Sequence, residues 1–294
     1  KSQSVLVECT VVRMVEYHSN DFDLYEWAEE AKTIHVLPDI SEYKIDTNEA
    51  TSNQKLEVYH EKWDDFYSNH NSGKFFKPRR YLVVEFGSYL TRCGEVKATI
   101  VEAGCGHGCS MYPIIEKFSV SYIATDYSAE VIHILERDGM FDKSRSSATL
   151  WDVTLAAPEP LGSLIKGPVG AVMSIFTLSA VHPSKHIASL QNMRSLLLNH
   201  ADPSLNGLIL FRDYGIHDMT MYRHKLRYSD TLFGRTDGTL SYYFDLDYLR
   251  SIAEAAGLYV LELEYATVRT ANRKKGTEMR RVFVHAVLSI HPPS

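Results

Sequence analysis

Residues 102–108 run Glu-Ala-Gly-Cys-Gly-His-Gly, with glycine at the alternate positions Gly104, Gly106 and Gly108. They follow the apolar stretch Thr99-Ile-Val101 and precede a run of helical character, and Asp126 closes the next strand-like segment. Strand, glycine loop, helix, strand and terminal acid in this order read as a nucleoside-cofactor pocket. The glycines let backbone approach the ligand, and the acid accepts from the two ribose hydroxyls. In the dinucleotide fingerprint the last glycine falls one residue later and admits a pyrophosphate. The alternate spacing points instead to S-adenosylmethionine, which has no phosphate to cradle. For the loop alone, a dehydrogenase and a plain glycine-rich turn remain the alternatives.

Asp152 falls where a third strand should end, as Asp126 does for the second. The first acid suits a ribose diol and the second an adenine amino group, although aspartate is also an ordinary helix cap. Trp63 and Tyr67 are i, i+4 neighbours on one helix face. That face either packs on the core or closes over a sulfonium, which an aromatic ring attracts.

The segment Phe211-Arg-Asp-Tyr-Gly215 sets a cation, an anion and an aromatic at the end of a fifth strand, beside a transferable methyl group. The plainer reading is a surface ion pair between Arg212 and Asp213. Met173 to Pro183 lacks the Asn/Asp-Pro-Pro-aromatic segment of exocyclic amine methylation, and lacks the cysteine nucleophile of carbon-5 methylation. His182 there reads as a turn residue. Cys105-Gly-His-Gly-Cys109 invites a metal, but a fourth ligand has no evident source and the glycine loop already explains the segment.

Alternating strands and helices must position these residues. Strands are predicted near 98–103, 120–126, 148–152, 169–176 and 207–213, and helices near 109–118, 128–138, 185–200 and 245–256. Two apolar runs, 258–268 and 281–290, suit a closing antiparallel pair. The expected fold is α/β, a Rossmann-like class I methyltransferase with a seven-strand, mostly parallel sheet and helices on both faces. Residues 1–54 read as an accessory segment with an acidic helix over 21–32 and strand character near 5–12. Residues 55–294 read as the methyltransferase domain. Within it, 55–92 supplies lid or RNA-facing helices, one of them over 81–90, and 214–243 is a substrate-side insert.

The 294 residues carry a net charge of −6, and the acidity lies in residues 1–70, where 15 Asp/Glu face 6 Lys/Arg. The remainder is slightly basic, with clusters at Arg79-Arg80, Arg223 to Arg227, Arg273 to Lys275 and Arg280-Arg281. Each is a solvated face or an RNA contact. No apolar run reaches the roughly 20 residues of a membrane span. Four scattered cysteines suit a reducing compartment, so the cytoplasm is expected, with the nucleus as a second location. The chain opens on Lys1, which leaves a preceding targeting segment open.

The motifs together resemble the eukaryotic tRNA 3-methylcytidine methyltransferases, relatives of methyltransferase-like proteins 2, 6 and 8. The resemblance covers about residues 55–288. It is carried by Trp63-Asp-Asp-Phe-Tyr67, Phe75-Phe-Lys-Pro-Arg79, the glycine loop with Ala103 in place of the usual Val, and Asp126-Tyr-Ser128. Asp152-Val-Thr154, Ile175 to Pro183, Phe211 to Gly215 and Asp237 to Phe244 continue it. Leu240 stands where the family has Arg, which puts one RNA contact in doubt.

The resemblance implies cofactor contacts from Trp63, Tyr67, Gly104, Asp126, Asp152, Val153 and Ile175, to which the loop adds Gly106. It implies a cytidine in the tRNA anticodon loop, position 32, as substrate. It also implies a protein partner that supplies recognition, either an aminoacyl-tRNA synthetase or a tRNA-modifying enzyme. Asp213, Arg212 and Tyr214 are the candidate catalytic residues, and Arg79, Arg80, Phe176, Arg235 and Lys274 the candidate RNA contacts. Cytosine N3 carries a free lone pair, so alignment matters more than a base, and an anion at Asp213 would offset the cationic product. The competing readings are a non-catalytic scaffold of the same fold that binds tRNA or a partner enzyme, and a methyltransferase of another substrate class.

Overall fold

The computed structural model describes residues 19–41, 62–69, 77–272 and 276–293. Strand character near 5–12 and candidate contact Lys274 lie outside them. Five strands, β1 (Thr99–Ala103), β2 (Ser121–Asp126), β3 (Ser146–Leu150), β4 (Val169–Ile175) and β5 (Leu208–Tyr214), are mutually parallel. β9 (Tyr259–Asn272) and β10 (Thr277–Ser289) form an antiparallel pair, and β10 closes antiparallel on β5. The order is β3-β2-β1-β4-β5-β10-β9. Every residue of β1 and β4 is buried, as expected of central parallel strands covered on both faces.

Two apolar cores flank the sheet. One lies under α8 (His186–Asn199), α9 (Leu246–Ala255) and Leu161 of α7 (Glu159–Leu164). The other lies under α3 (Leu82–Glu85), α4 (Gly87–Glu95), α5 (Met111–Lys117) and α6 (Ala129–Arg137). Helix entry follows local chemistry: Ser128 and Asp245 accept from Val131 and Tyr248 N–H groups at the starts of α6 and α9.

Three details depart from the sequence pattern. The third strand begins and ends two residues early, so Asp152 lies beyond its end. The helix expected over 81–90 is interrupted at Phe86, whose φ is −107°. The interruption turns both Glu85 and Phe86 inward, the first onto Arg212 and the second onto the His285 ring at 5.0 Å. The substrate-side insert over 214–243, for which the sequence pattern offered no strands, carries its own sheet of β6 (Leu226–Arg227), β7 (Leu232–Gly234) and β8 (Leu240–Tyr242).

Residues 19–41 are attached to this body. The acidic helix is α1 (Leu24–Ile34), capped by Asp23. Trp27 Nε1 donates to the His217 carbonyl at 2.7 Å, and Asn20 bridges Thr267 of β9. Residues 62–69 form helix α2. Among the described residues no helix is long and apolar enough to cross a membrane.

Candidate active site

A cleft opens at the carboxyl ends of β1, β2 and β4, where an open α/β sheet ordinarily binds its ligand. Trp63, Tyr67, Gly104, Asp126, Asp152, Val153 and Phe176 line it, as do Tyr127, Trp151, Thr154, Thr177, Ala180 and Val181. Six of the eight residues expected to touch a cofactor are in the first group. Gly106 reaches the cleft through its N–H, which donates to Asp126 Oδ2 at 3.0 Å. Ile175 is buried at the end of β4, one residue before Phe176.

The glycines are required by the chain itself. Gly104 and Gly106 have φ of +70° and +51°, a region that L side chains rarely adopt. A Cβ on Gly104 would stand 2.6 Å from the Thr177 side chain, and one on Gly106 3.2 Å from the Tyr67 hydroxyl. The space freed by these glycines is thus taken partly by Thr177 and Tyr67, while Gly104 still faces the cleft.

Asp126 is 7% exposed and accepts from Gly106 N–H and, at 3.0 Å, from Ser128 N–H. Burial pushes its carboxyl up to about 6, against the lowering pull of those backbone donors. Asp152 accepts from Thr154 N–H at 2.9 Å and Thr154 hydroxyl at 2.7 Å, a turn that places its carboxylate at the rim. Tyr67 and Phe66 are buried against Val131 while Trp63 is half-buried beside them, so the aromatic helix both packs on α6 and walls the cleft.

β5 separates Arg212 from Asp213, because successive strand residues point to opposite faces. Arg212 is 3% exposed and pairs with Glu85 at 2.5 Å, between the rings of Tyr81 and Phe283. Behind it, His285 joins Glu85 and Glu262 at 2.9 and 2.8 Å. Burial disfavours the His285 cation, but its carboxylate partners raise its pKa in balance. Asp213 is fully buried beneath the Leu178–Ala180 turn, accepting from Ser179 N–H at 2.9 Å and Tyr214 N–H at 2.8 Å. Burial pushes it up to about 6. The neighbour ion pair that the sequence suggested is therefore absent, and neither side chain lines the cleft.

Phe176 marks where the cleft meets the rest of the sheet edge. Its φ is +59°, an outlier for a bulky residue and a form of stored strain. Its ring lies 5.0 Å from Tyr214 and 5.5 Å from Phe283. Arg79 stands over Phe176 at 5.0 Å, Arg235 over Tyr214 at 5.8 Å, and Arg281 over Phe283 at 4.9 Å. Arg79, Phe176, Tyr214 and Arg235 thus come together. Arg80 does not: it is exposed and pairs with Glu116.

Tyr127, Trp151 and Thr154 neighbour the strand-end acids and were findable from them. Thr177, Ala180 and Val181 follow β4, where the chain turns back through two short 3-10 turns. His182 caps the second, its ring accepting from Ser184 N–H at 3.3 Å.

Sheet order, glycine loop and strand-end acids together define an S-adenosylmethionine-dependent methyltransferase. A family model described as a methyltransferase domain matches residues 75–263. A crystal structure of an S-adenosylmethionine-dependent methyltransferase from Anabaena variabilis superposes with a TM-score of 0.55 at 12% identity, covering 78% of this chain and 94% of that one. The human tRNA N(3)-cytidine methyltransferase METTL6 is 35% identical over 82% of this chain and 83% of its own length. The tRNA(Thr) (cytosine(32)-N(3))-methyltransferase of Saccharomyces cerevisiae is 33% identical over 78% of this chain and 36% of its own. The chain belongs to the tRNA N(3)-cytidine methyltransferase family.

Proposed function

We propose that this protein methylates N3 of an unpaired cytidine in the anticodon loop of tRNA, the position numbered 32 in the name of the yeast relative. Phe176 carries the reading geometrically: a ring held at φ +59° stands where the cofactor cleft joins an aromatic and arginine-rich floor. A base turned out of its stack can lie on that ring with its Watson–Crick edge toward the cleft.

The residues present fit S-adenosylmethionine. Asp126 and Asp152 offer carboxylates to a ribose diol and an adenine amino group, and Trp63 and Tyr67 offer rings to a cation. When bound, that cofactor supplies an electrophilic methyl group on a sulfonium. Cytosine N3 needs no base to become a nucleophile, so the protein's task is alignment, a contribution that reaches about 7–11 kcal/mol in favourable cases. Phe176 and Tyr214 orient the base. Asp213 holds the Ser179 turn, whose neighbours Thr177, Ala180 and Val181 form the adjoining wall, and its charge offsets the cationic product from beneath. Arg212 braces the floor through Phe283.

Recognition of a particular tRNA falls to a protein partner, an aminoacyl-tRNA synthetase or another tRNA-modifying enzyme, with the cytoplasm as the compartment. Arg80, Arg212, Arg227, Arg269, Arg280 and Arg281 are each paired with a carboxylate, and the chain is net acidic. Tight unaided binding requires several phosphate contacts and would weaken steeply with salt. The test is nucleoside mass spectrometry of tRNA incubated with the protein, cofactor and candidate partners. New 3-methylcytidine is expected. Cofactor binding without any methylated cytidine, or a methyl group on a different atom, overturns the proposal.

A further inference from the structure

Helix α2 is tied to the body at three places. Phe66 and Tyr67 pack on Val131 of α6. At its start, the Lys62 stem lies against the tip of the β7–β8 hairpin. There Gly238 has φ +88°, and a Cβ would stand 3.1 Å from Lys62 Cδ. The third tie is polar: the Ser128 hydroxyl donates to Asp64 Oδ1.

Ser128 is fully buried and already has two duties. Its Oγ accepts from Val131 N–H at 3.3 Å to cap α6, and its own N–H donates to Asp126 Oδ1 at 3.0 Å. One serine therefore joins the Asp64 and Asp126 carboxylates. Bringing a second anion toward a buried one is electrostatically unfavourable, and Asp64 does act to raise the Asp126 pKa. Apolar packing through Phe66 and Tyr67 would hold the helix without it. What the hydrogen bond adds is orientation. Asp64 lies about 100° around the helix from Trp63, so anchoring it sets which way Trp63 and Tyr67 point.

We propose that Asp64 is a positioning residue for cofactor binding: through Ser128 it sets the rotation of α2 and so presents Trp63 and Tyr67 to the cleft whose acid is Asp126. The inference rests on the reading of that cleft as the cofactor site. It assigns work to a residue that does not itself line the cleft.

The experiment is calorimetric titration of the full chain with S-adenosylhomocysteine, alongside thermal melts. Asp64→Ala is expected to weaken binding about tenfold, the scale of one part-buried hydrogen bond to a carboxylate, with little change in melting temperature. Asp64→Asn keeps an oxygen that accepts from Ser128 and is expected to stay within about threefold of the parent. In a Trp63→Ala background, Asp64→Ala is expected to cost less than about threefold, since its effect acts largely through that ring. Unchanged affinity in Asp64→Ala overturns the proposal, whether or not the melting temperature falls. Equal losses in the Ala and Asn variants, or full additivity with Trp63→Ala, also overturn it. Asp126→Ala is the control. Parent-like binding there would remove the cleft assignment itself, whereas loss there with parent-like Asp64→Ala removes only the positioning role.

Discussion

Along β1, β2 and the loop after β3, the cleft is bounded by Asp126, Asp152 and a glycine turn, all within about fifty residues of chain. Across β4, β5 and β10 the adjoining floor is Phe176, Tyr214 and Phe283, with the guanidiniums of Arg79 and Arg235 over the first two. The first region offers carboxylates and backbone, which suit a ribose and an adenine amino group. The second offers rings and cations, which suit a base and its phosphates. The proposed function would bring a methyl donor and an RNA acceptor together where these two regions join, at Phe176. The contrast teaches that a compact local motif can hold a small cofactor. A polyanion needs residues collected from the whole sheet edge.

The sharpest way to break the contrast is Asp126→Ala. It removes the carboxylate proposed to accept from two ribose hydroxyls, and the expected loss of cofactor affinity is about 10²-fold, from roughly 3 kcal/mol of charge-assisted hydrogen bonding. Melting temperature should fall modestly, because Gly106 and Ser128 N–H groups lose their partner. Calorimetry that found parent-like affinity would dissolve the acidic half as a ligand site.

Phe176→Ala tests the boundary. The expected change is a fall in methyl transfer to tRNA of about 10- to 100-fold, the value of one base stack, with the cofactor dissociation constant within about threefold. Single-turnover assays with partner present measure the first and calorimetry the second. Equal losses in both would place Phe176 in the cofactor half.

Asp213→Asn asks whether charge acts from beneath the floor. Because Asp213 is buried under the Ser179 turn, a fall of on the order of tenfold in transfer rate is expected, below the 10²–10³ typical of a donor touching the reacting atoms. Rates normalised to folded protein within about threefold of the parent would leave Asp213 a purely structural anchor.

The smallest effect is in pH. Burial holds Asp126 up to about 6, so its ionised form is depleted as pH falls through that value. Cofactor affinity is expected to drop about fourfold between about pH 7 and pH 5.5, and Asp126→Asn should flatten the profile. Stability runs the other way. With the folded pKa above an unfolded value near 4, the folded state binds more protons across roughly pH 4–6, and this carboxyl's contribution declines as pH rises through that window.

Much of the acidic half was legible because its determinants are local. Alternate glycines, the acids and the helix that follows lie within one β-α-β unit, and six of eight expected cofactor residues line the cleft. The arginine-rich half was legible only as composition. Arg79 and Arg80 are adjacent, yet one stands over Phe176 and the other pairs with Glu116. Arg212 and Asp213 are adjacent too, but strand alternation sends them to opposite faces and gives each a partner far away in sequence. The Phe176 backbone conformation, φ +59°, left no mark in residue type, and the rings of Tyr214 and Phe283 beside it come from distant parts of the chain.

By itself, the chain's pattern determined the elements: a glycine loop between strand and helix, acids at strand ends, and apolar periods that allow a parallel sheet with a terminal antiparallel pair. Those follow from backbone sterics and side-chain periodicity over a few residues. Tertiary structure alone decided which charges are spent internally and which face the cleft. It also decided that Ser128 joins Asp64 to Asp126, and that Arg212 lies behind the floor while Asp213 lies under a turn. Such pairings are selected by burial, since a charge removed from water takes whichever partner the folded chain brings within hydrogen-bonding distance, however far off in sequence.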